Sequence, residues 1–446
     1  MSAYYLRLAL MSFRRNPGLT ALMVGAIALG IAVCVMTLTV YHAMSGNPIW
    51  WKGDRLYAVT MDNWDPNDVY DPQHPGLAPE MLTYKDSRYL AQSKIPERKV
   101  IMYKVNGIIT GGTAEKRPHR VISRATTADF FAMFDVPFEY GGGWAAPADD
   151  GPEPVIVISH KENQLLFGGG NSVGRTIQWN NQQFRIIGVL EEWSPQPKFY
   201  DLNNGPFDVA EDAYVPFGWG TSLELLSAGS SNCWKPEPLN DFKDFVNSDC
   251  VWLEMWVELP NTNSRERMQA FIDSYWAEQH AAGRFPRPRN NRLTPVPQWL
   301  VDQGVVENDN RVLVGLSFAF LAVCLINTVG LLLAKFLNGA AITGVRRALG
   351  ASRRQIFEQH LVEVGVLAGC GALLGLILAA VGLWAVHALY ASVRFGERGG
   401  FQELTHFDTS SVVWAVILAI VATLAAGLYP AWRIGRLPPA VYLKSQ

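Results

Sequence analysis

The stretch from Leu19 to Tyr41 reads LTALMVGAIALGIAVCVMTLTVY and holds no Asp, Glu, Lys or Arg. A helix needs about 20 apolar residues to cross roughly 30 Å of hydrocarbon, so this run is long enough to span a membrane. Arg14 and Arg15 precede it as they would in a signal peptide, yet the run outlasts the roughly 7–15 apolar residues of a signal core. It reads as an uncleaved anchor, with Cys34 a lipid-embedded cysteine rather than a lipoprotein cleavage site. Three more stretches share this character: Val312 to Ala334, Val364 to Leu389 and Val412 to Trp432. The sequence therefore predicts an integral membrane α-helical protein with four transmembrane helices. Composition agrees: 49% of the 446 residues are hydrophobic and 17% charged, a low charge content for a soluble protein.

Basic residues in the short loops next to membrane helices mark the cytoplasmic side. One arrangement gathers eleven of the 38 Lys and Arg on a single face: Arg7, Arg14, Arg15, Lys335, Arg346, Arg347, Arg353, Arg354, Arg433, Arg436 and Lys444. Only Glu358 and Glu363 join them, which leaves the opposite side with a net charge of about −11. Both termini are expected in the cytoplasm, and the overall charge of −2 hides this segregation. The expected order is an N-terminal segment (1–18), helix one (19–43), an external domain (44–310), helix two (311–334), a cytoplasmic loop (335–362), helix three (363–390), an external loop (391–410), helix four (411–432) and a cytoplasmic tail (433–446). Cys233 and Cys250 lie outside, where an oxidising compartment allows them to bridge. The alternative is two free thiols, since separation in sequence fixes no geometry.

Within the external domain Val155–Ile158 is a β-rich run. Ser159 and Glu162 then form an S-x-x-E helix cap, and Gly168–Gly170 ends that helix. Thr176–Trp179 and Gln183–Val189 alternate as two strands joined at Asn180-Asn181, residues that tolerate the positive φ of a tight hairpin. Val121–Ser123 reads as a strand, Thr127–Phe134 as a helix and Gly141–Gly143 as a turn. The domain is thus α+β. From 193 to 260, Pro, Gly, Asn and Trp recur without a sustained period, which suggests an inserted subdomain. No G-x-x-x-x-G-K-[ST] or H-E-x-x-H occurs in the chain, and no catalytic constellation or metal-ligand spacing emerges. The external Trp and Phe residues either pack a core or line a substrate surface.

Between helices two and three the chain runs Gly344-Val345-Arg346-Arg347-Ala348-Leu349-Gly350-Ala351-Ser352-Arg353-Arg354-Gln355-Ile356-Phe357-Glu358. Gly350 suits a left-handed helix end, and Ser352 with Gln355 suits a capping box. Two short helices are expected to meet here at an angle. On charge alone, the four arginines would need only to satisfy topology and acidic lipid headgroups. Asn327, near the middle of helix two, is a polar group that would seek a partner across a dimer, within the bundle or on its own backbone.

The run Arg346–Ile356 resembles the signature loop of the MacB-like and FtsX-like family of ABC transporter permeases, the type VII or mechanotransmission class. The likeness extends to Leu10–Pro17, to Val155–Leu190 in the external domain and to Gly427–Arg433. It implies a large α+β periplasmic domain between helices one and two, and a multi-pass protein of the bacterial inner membrane. It also implies a dimer of permeases, either two copies or a copy with a paralogue, driven by a cytoplasmic ABC ATPase. With no P-loop in this chain, the resemblance places the bound ATP and Mg on that separate ATPase, so the chain itself is expected to bind no cofactor or metal and to catalyse nothing. The loop becomes the ATPase-coupling surface: Arg346, Arg347, Arg353 and Arg354 as polar contacts, Phe357 as an apolar plug, and Gly350, Ser352 and Gln355 as its turn. The family commonly has Glu where Thr343 stands, which leaves one contact absent or supplied by a second, non-identical permease.

The function implied first is efflux of a small molecule or peptide with a periplasmic adaptor and an outer-membrane channel. Lipoprotein extraction and FtsX-like signalling to a cell-wall hydrolase are the alternatives. Partners are otherwise membrane lipid, with no nucleic acid expected.

Overall fold

The computed structural model describes residues 2–151, 153–305, 308–393, 417, 421, 423–425 and 427–433. The chain forms two compact units, one of residues 1–44 with 307–446 and one of residues 45–306. Most of the expected fourth helix (411–432), residues 394–410 of the loop before it and nearly all of the tail, with Arg436 and Lys444, lie outside the described residues.

The membrane unit is helical. An amphipathic helix, Ser2–Arg15, breaks at Asn16 and is followed by the apolar helix Pro17–Ser45. Two further long helices are Asn308–Asn338 and Arg353–Val393, separated by the short helix Ala340–Ala348. Among the described residues three helices are long and apolar enough to cross a membrane, over Pro17–Tyr41, Val312–Asn338 and Arg353–Ala385. Ile27, Ile31 and Val35 of the first pack with Leu321 of the second and with Ala372 and Ala379 of the third. Gly371 and Gly375, one turn apart, let the first and third approach closely. A Cβ at Gly375 would stand 2.9 Å from the Ala28 carbonyl oxygen and 2.9 Å from Ile31 Cβ, the small-residue contact by which membrane helices associate. Among the described residues of the last segment, 427–433 are helical and Gly427 lies against Val364.

The external unit is built on a ten-stranded sheet. Its strands are β1 (Leu56–Thr60), β2 (Arg98–Thr110), β3 (His119–Thr126), β4 (Phe138–Gly141), β5 (Val155–Ile158), β6 (Thr176–Trp179), β7 (Gln182–Leu190), β8 (Ala213–Pro216), β9 (Glu254–Glu258) and β10 (Arg292–Pro295). They run in the order β10-β1-β9-β2-β3-β8-β5-β7-β4, with β6 pairing both β2 and β7. Those last pairings close a circuit from β2 through β3, β8, β5, β7 and β6 back to β2, so six of the ten strands form a small barrel, β9, β1 and β10 form a flange, and β4 lies at the other edge. Closure brings Trp179 onto Gly107, where a Cβ would meet the indole Nε1 at 2.1 Å. Trp179 is fully buried and donates its Nε1 hydrogen to Ser123 Oγ at 3.1 Å.

The local signals of the sequence are realised here. Ser159 accepts from the Glu162 amide, and Gly168 ends that helix with φ +76°. Asn180 and Asn181 turn the β6–β7 hairpin at φ 47° and 64°. The span 193–260, however, is no inserted subdomain: β8 lies between β3 and β5 and β9 between β1 and β2, in the middle of the sheet. Every residue of β8 and β9 is buried. A strand covered on both faces loses the alternation that would betray it, so these two read as aperiodic.

Loop 198–211 is tied to the sheet by charge. Arg124 of β3 is completely buried and pairs with Asp201 and Glu211. Lys198 Nζ reaches Glu211 at 2.8 Å, and Tyr200 donates its hydroxyl to the same carboxylate at 3.0 Å. Burial would push both carboxyls up, but Arg124 and Lys198 hold Asp201 and Glu211 below the usual carboxylate range. Glu254, 3.8 Å from Arg124, is instead raised well above it by burial and by Asp201.

Candidate functional site

The basic loop is a helix, a turn and the start of a second helix. Ala340–Ala348 ends at Leu349, and Gly350 takes φ +101°, a conformation open to glycine. Ser352 and Gln355 then cap one another: the Ser352 amide donates to Gln355 Oε1 at 2.9 Å and the Gln355 amide to Ser352 Oγ at 3.2 Å. This reciprocal box fixes the exit from the turn. The second helix is not short as expected, because it continues without interruption through the membrane span to Val393. No breaker stands between the loop and the apolar run, so the exit from the turn and the membrane span form one continuous helix.

The arginines divide into two kinds. Arg346 is turned inward: it donates to Gln359 Oε1 at 2.5 Å and to the Tyr4 hydroxyl at 2.8 Å, tying its own helix to the third long helix and the N-terminal one. Arg353 and Arg354 are exposed, the latter pairing with Glu358 at 2.8 Å one turn on. Arg347 is half-buried and also engaged. Phe357 is only partly exposed, whereas Leu349 at the turn is 83% exposed and Val345 47%. The apolar feature open to a partner is therefore Leu349. Its signal in the sequence was a large aliphatic residue directly before the helix-ending glycine. Thr343, where the family commonly has Glu, bonds back to the Gly339 carbonyl at 3.3 Å.

Beneath the loop lies a polar cluster that includes Lys335 and Glu363, two of the charges that mark the cytoplasmic side. Glu363 accepts from Ser12 Oγ at 2.6 Å and pairs with Lys335 Nζ at 2.6 Å, with His360 Nδ1 3.4 Å away. Lys335 also sits 4.5 Å from the Phe13 ring centre. Lys335 and Glu363 are both nearly inaccessible, so the pair is a buried clasp joining the N-terminal helix to two membrane helices. Asn327 lies elsewhere, exposed on the same outward apolar face of its helix as Leu316, Phe320 and Val323.

In the external unit Cys233 and Cys250 form a disulfide, their Cα atoms 4.3 Å apart. No group of three or more His, Cys, Asp or Glu able to hold a metal occurs among the described residues.

Membrane-crossing helices joined to a large sheet domain define an integral membrane protein with one large domain outside the bilayer. The MacB-like periplasmic core domain family matches residues 20–275 and the FtsX-like permease C-terminal family residues 314–439. The chain belongs to the MacB-like and FtsX-like ABC transporter permease family, and its large domain is of the periplasmic kind. It is 24% identical over 434 residues to the pyoverdine export ATP-binding/permease protein PvdT of Pseudomonas syringae pv. tomato, covering 96% of this chain and 57% of that protein. To the macrolide export ATP-binding/permease protein MacB of Wolinella succinogenes it is 26% identical over 328 residues, 72% of this chain and 43% of the relative. The chain thus spans about half the length of these curated relatives. The crystal structure of the periplasmic region of MacB from Actinobacillus actinomycetemcomitans superposes with a TM-score of 0.35 and 12% identity, over 56% of this chain and 92% of that one.

Proposed function

We propose that this chain is the permease of an ABC exporter of the mechanotransmission type, which passes ATPase-driven motion across the bacterial inner membrane to its periplasmic domain. The observation that supports this best is the capped turn at Gly350, which presents Leu349 and Arg353 to a partner and continues unbroken into a transmembrane helix. In this reading four helices cross the membrane and both termini are cytoplasmic. The turn docks on an ABC ATPase, which holds the ATP and Mg. A second permease, identical or paralogous, covers the face bearing Asn327, where a polar side chain among exposed aliphatics would gain a partner across such an interface. The export names of the relatives favour efflux of a small molecule or peptide, through a periplasmic adaptor and an outer-membrane channel.

The test is purification from native membranes in mild detergent, with mass spectrometry of what remains bound, for the unaltered chain and for Leu349→Asp with Arg353→Glu. The unaltered chain should retain an ATPase and an adaptor, and the variant should insert normally yet lose the ATPase. Retention by the variant would remove the docking role from the turn. A cell-wall hydrolase or lipoprotein carrier in place of the adaptor would move the function to signalling or extraction.

A further inference from the structure

The external domain contains a cavity of about 320 Å³, within the size range of small-molecule sites. The chain between β1 and the helix Tyr84–Leu90 supplies most of its wall, with Asn232 and Gln303 completing it. Trp64 and Tyr70 meet edge to face, ring centres 4.9 Å apart at 88°, and so make a corner of two aromatic surfaces. The corner is fixed in place: the Tyr70 hydroxyl donates to Glu80 Oε1 at 3.3 Å and accepts from Asn232 Nδ2 at 2.9 Å. Asp71 and Glu80 are the charged groups of the wall, and none of the described residues lining it is Lys, Arg or His.

Glu80 meets no cationic side chain among the described residues. Burial, with the charges of Asp201 and Asp71, pushes its carboxyl up to about 7. It also faces a second space of about 10 Å³, room for one water, shared with Tyr200, Asn203 and Glu254. Glu254 is only 6% exposed, and its Oε2 has no hydrogen-bond donor among the described residues. Asp71 is paired with His74 at 2.7 Å, so Glu80 is the wall carboxyl left to meet a ligand, and a lining with two acidic and no basic residues disfavours an anion. A neutral apolar ligand would leave Glu80 desolvated and unpaired. A bare metal ion would find no set of three ligating side chains among the described residues.

We propose that this cavity is a binding site for an organic cation, a quaternary or alkyl ammonium group held against the faces of Trp64 and Tyr70 and paired with Glu80. Aromatic corners recognise such ions because the negative ring faces replace water without demanding directional hydrogen bonds. The proposal stands apart from the export reading, because it concerns a pocket of the periplasmic domain whose ligand need not be the cargo.

Isothermal titration of the full chain in detergent with choline, tetraethylammonium and benzyltrimethylammonium tests it, with 3,3-dimethyl-1-butanol as the neutral isostere of choline. At least one cation should bind saturably while the neutral isostere does not. Glu80→Gln should weaken binding roughly tenfold or more, and Trp64→Leu about fivefold to tenfold. Unchanged far-ultraviolet circular dichroism and melting temperature would establish that each variant is folded. Binding by none of the cations, equal binding of the neutral isostere, or full affinity in folded Glu80→Gln would each overturn the site.

Discussion

Replacing Arg124 with Met keeps an unbranched apolar stem and deletes the guanidinium and its charge. Lys198 remains at 2.8 Å to serve Glu211, so the group left bare is Asp201, whose other partner is the Asn204 amide at 2.6 Å. An uncompensated buried charge costs about 3–5 kcal/mol, but a carboxyl can escape by taking up a proton. From an ordinary pKa near 3.9, at about 1.36 kcal/mol per unit, that escape costs roughly 4 kcal/mol at pH 7 and roughly 1.5 kcal/mol at pH 5. In the unaltered protein Asp201 is held low. Its contribution is therefore complete above the unfolded pKa and constant between pH 5 and 7, and it fades only in stronger acid as pH falls through the folded value. Arg124→Met should accordingly lose about 4 kcal/mol at pH 7 and less than half of that at pH 5. Urea unfolding of the full chain in detergent, read by tryptophan emission, would show it, since Trp256 and Trp299 lie in the core on that face of the sheet. Adding Asp201→Asn to the variant should restore part of the loss and abolish its pH dependence. A loss that is the same at both pH values would refute the reasoning, because it would mean that Asp201 is not the group paying for the missing charge.

The clasp in the membrane unit should behave as a pair. Lys335→Met leaves Glu363 buried without its cation, at about 3–5 kcal/mol, whereas Lys335→Met with Glu363→Met should regain most of that; thermal melting of the three proteins in one detergent compares them. Gly375→Ala should destabilise the bundle by about 1–3 kcal/mol through overpacking, because its methyl would sit 2.9 Å from both the Ala28 oxygen and Ile31 Cβ. Melting at the unaltered temperature would show that the first and third long helices separate without penalty.

What could be read from the sequence was what depends on neighbours in the chain. Apolar length announced the membrane helices, and Ser159, Gly168, Asn180 and Asn181 announced their turns because a cap or a positive φ is a local requirement. Gly350, Ser352 and Gln355 were legible for the same reason. The centre of the sheet was not: β8 and β9 meet their partners across long separations, and burial on both faces erased their period. Side-chain partnerships were equally hidden. Ser12 and Glu363 are 351 residues apart, and Arg124 meets Asp201 and Glu211 only once the loop has folded back. The four arginines of the basic loop looked equivalent as a charge count, and only packing against the N-terminal helix and Gln359 separates Arg346 from Arg353.

That separation bears on how force would travel. Had the arginines served only headgroup attraction, their guanidinium groups would gain most by reaching outward, and nothing would favour spending one on Gln359 and Tyr4. Arg346 instead joins the short helix to the third long helix and to the N-terminal one. The clasp of Ser12, Lys335 and Glu363 joins the N-terminal helix and the third again, and adds the second. Two independent polar links thus bind the same elements at the same end of the bundle, around a turn that its own capping box holds rigid. Hydrogen bonds and buried ion pairs resist shear better than sliding apolar contacts, which can exchange neighbours at little cost. A push at Leu349 would therefore move these helices as one body rather than bend the loop, which is the mechanical property a coupling surface must have.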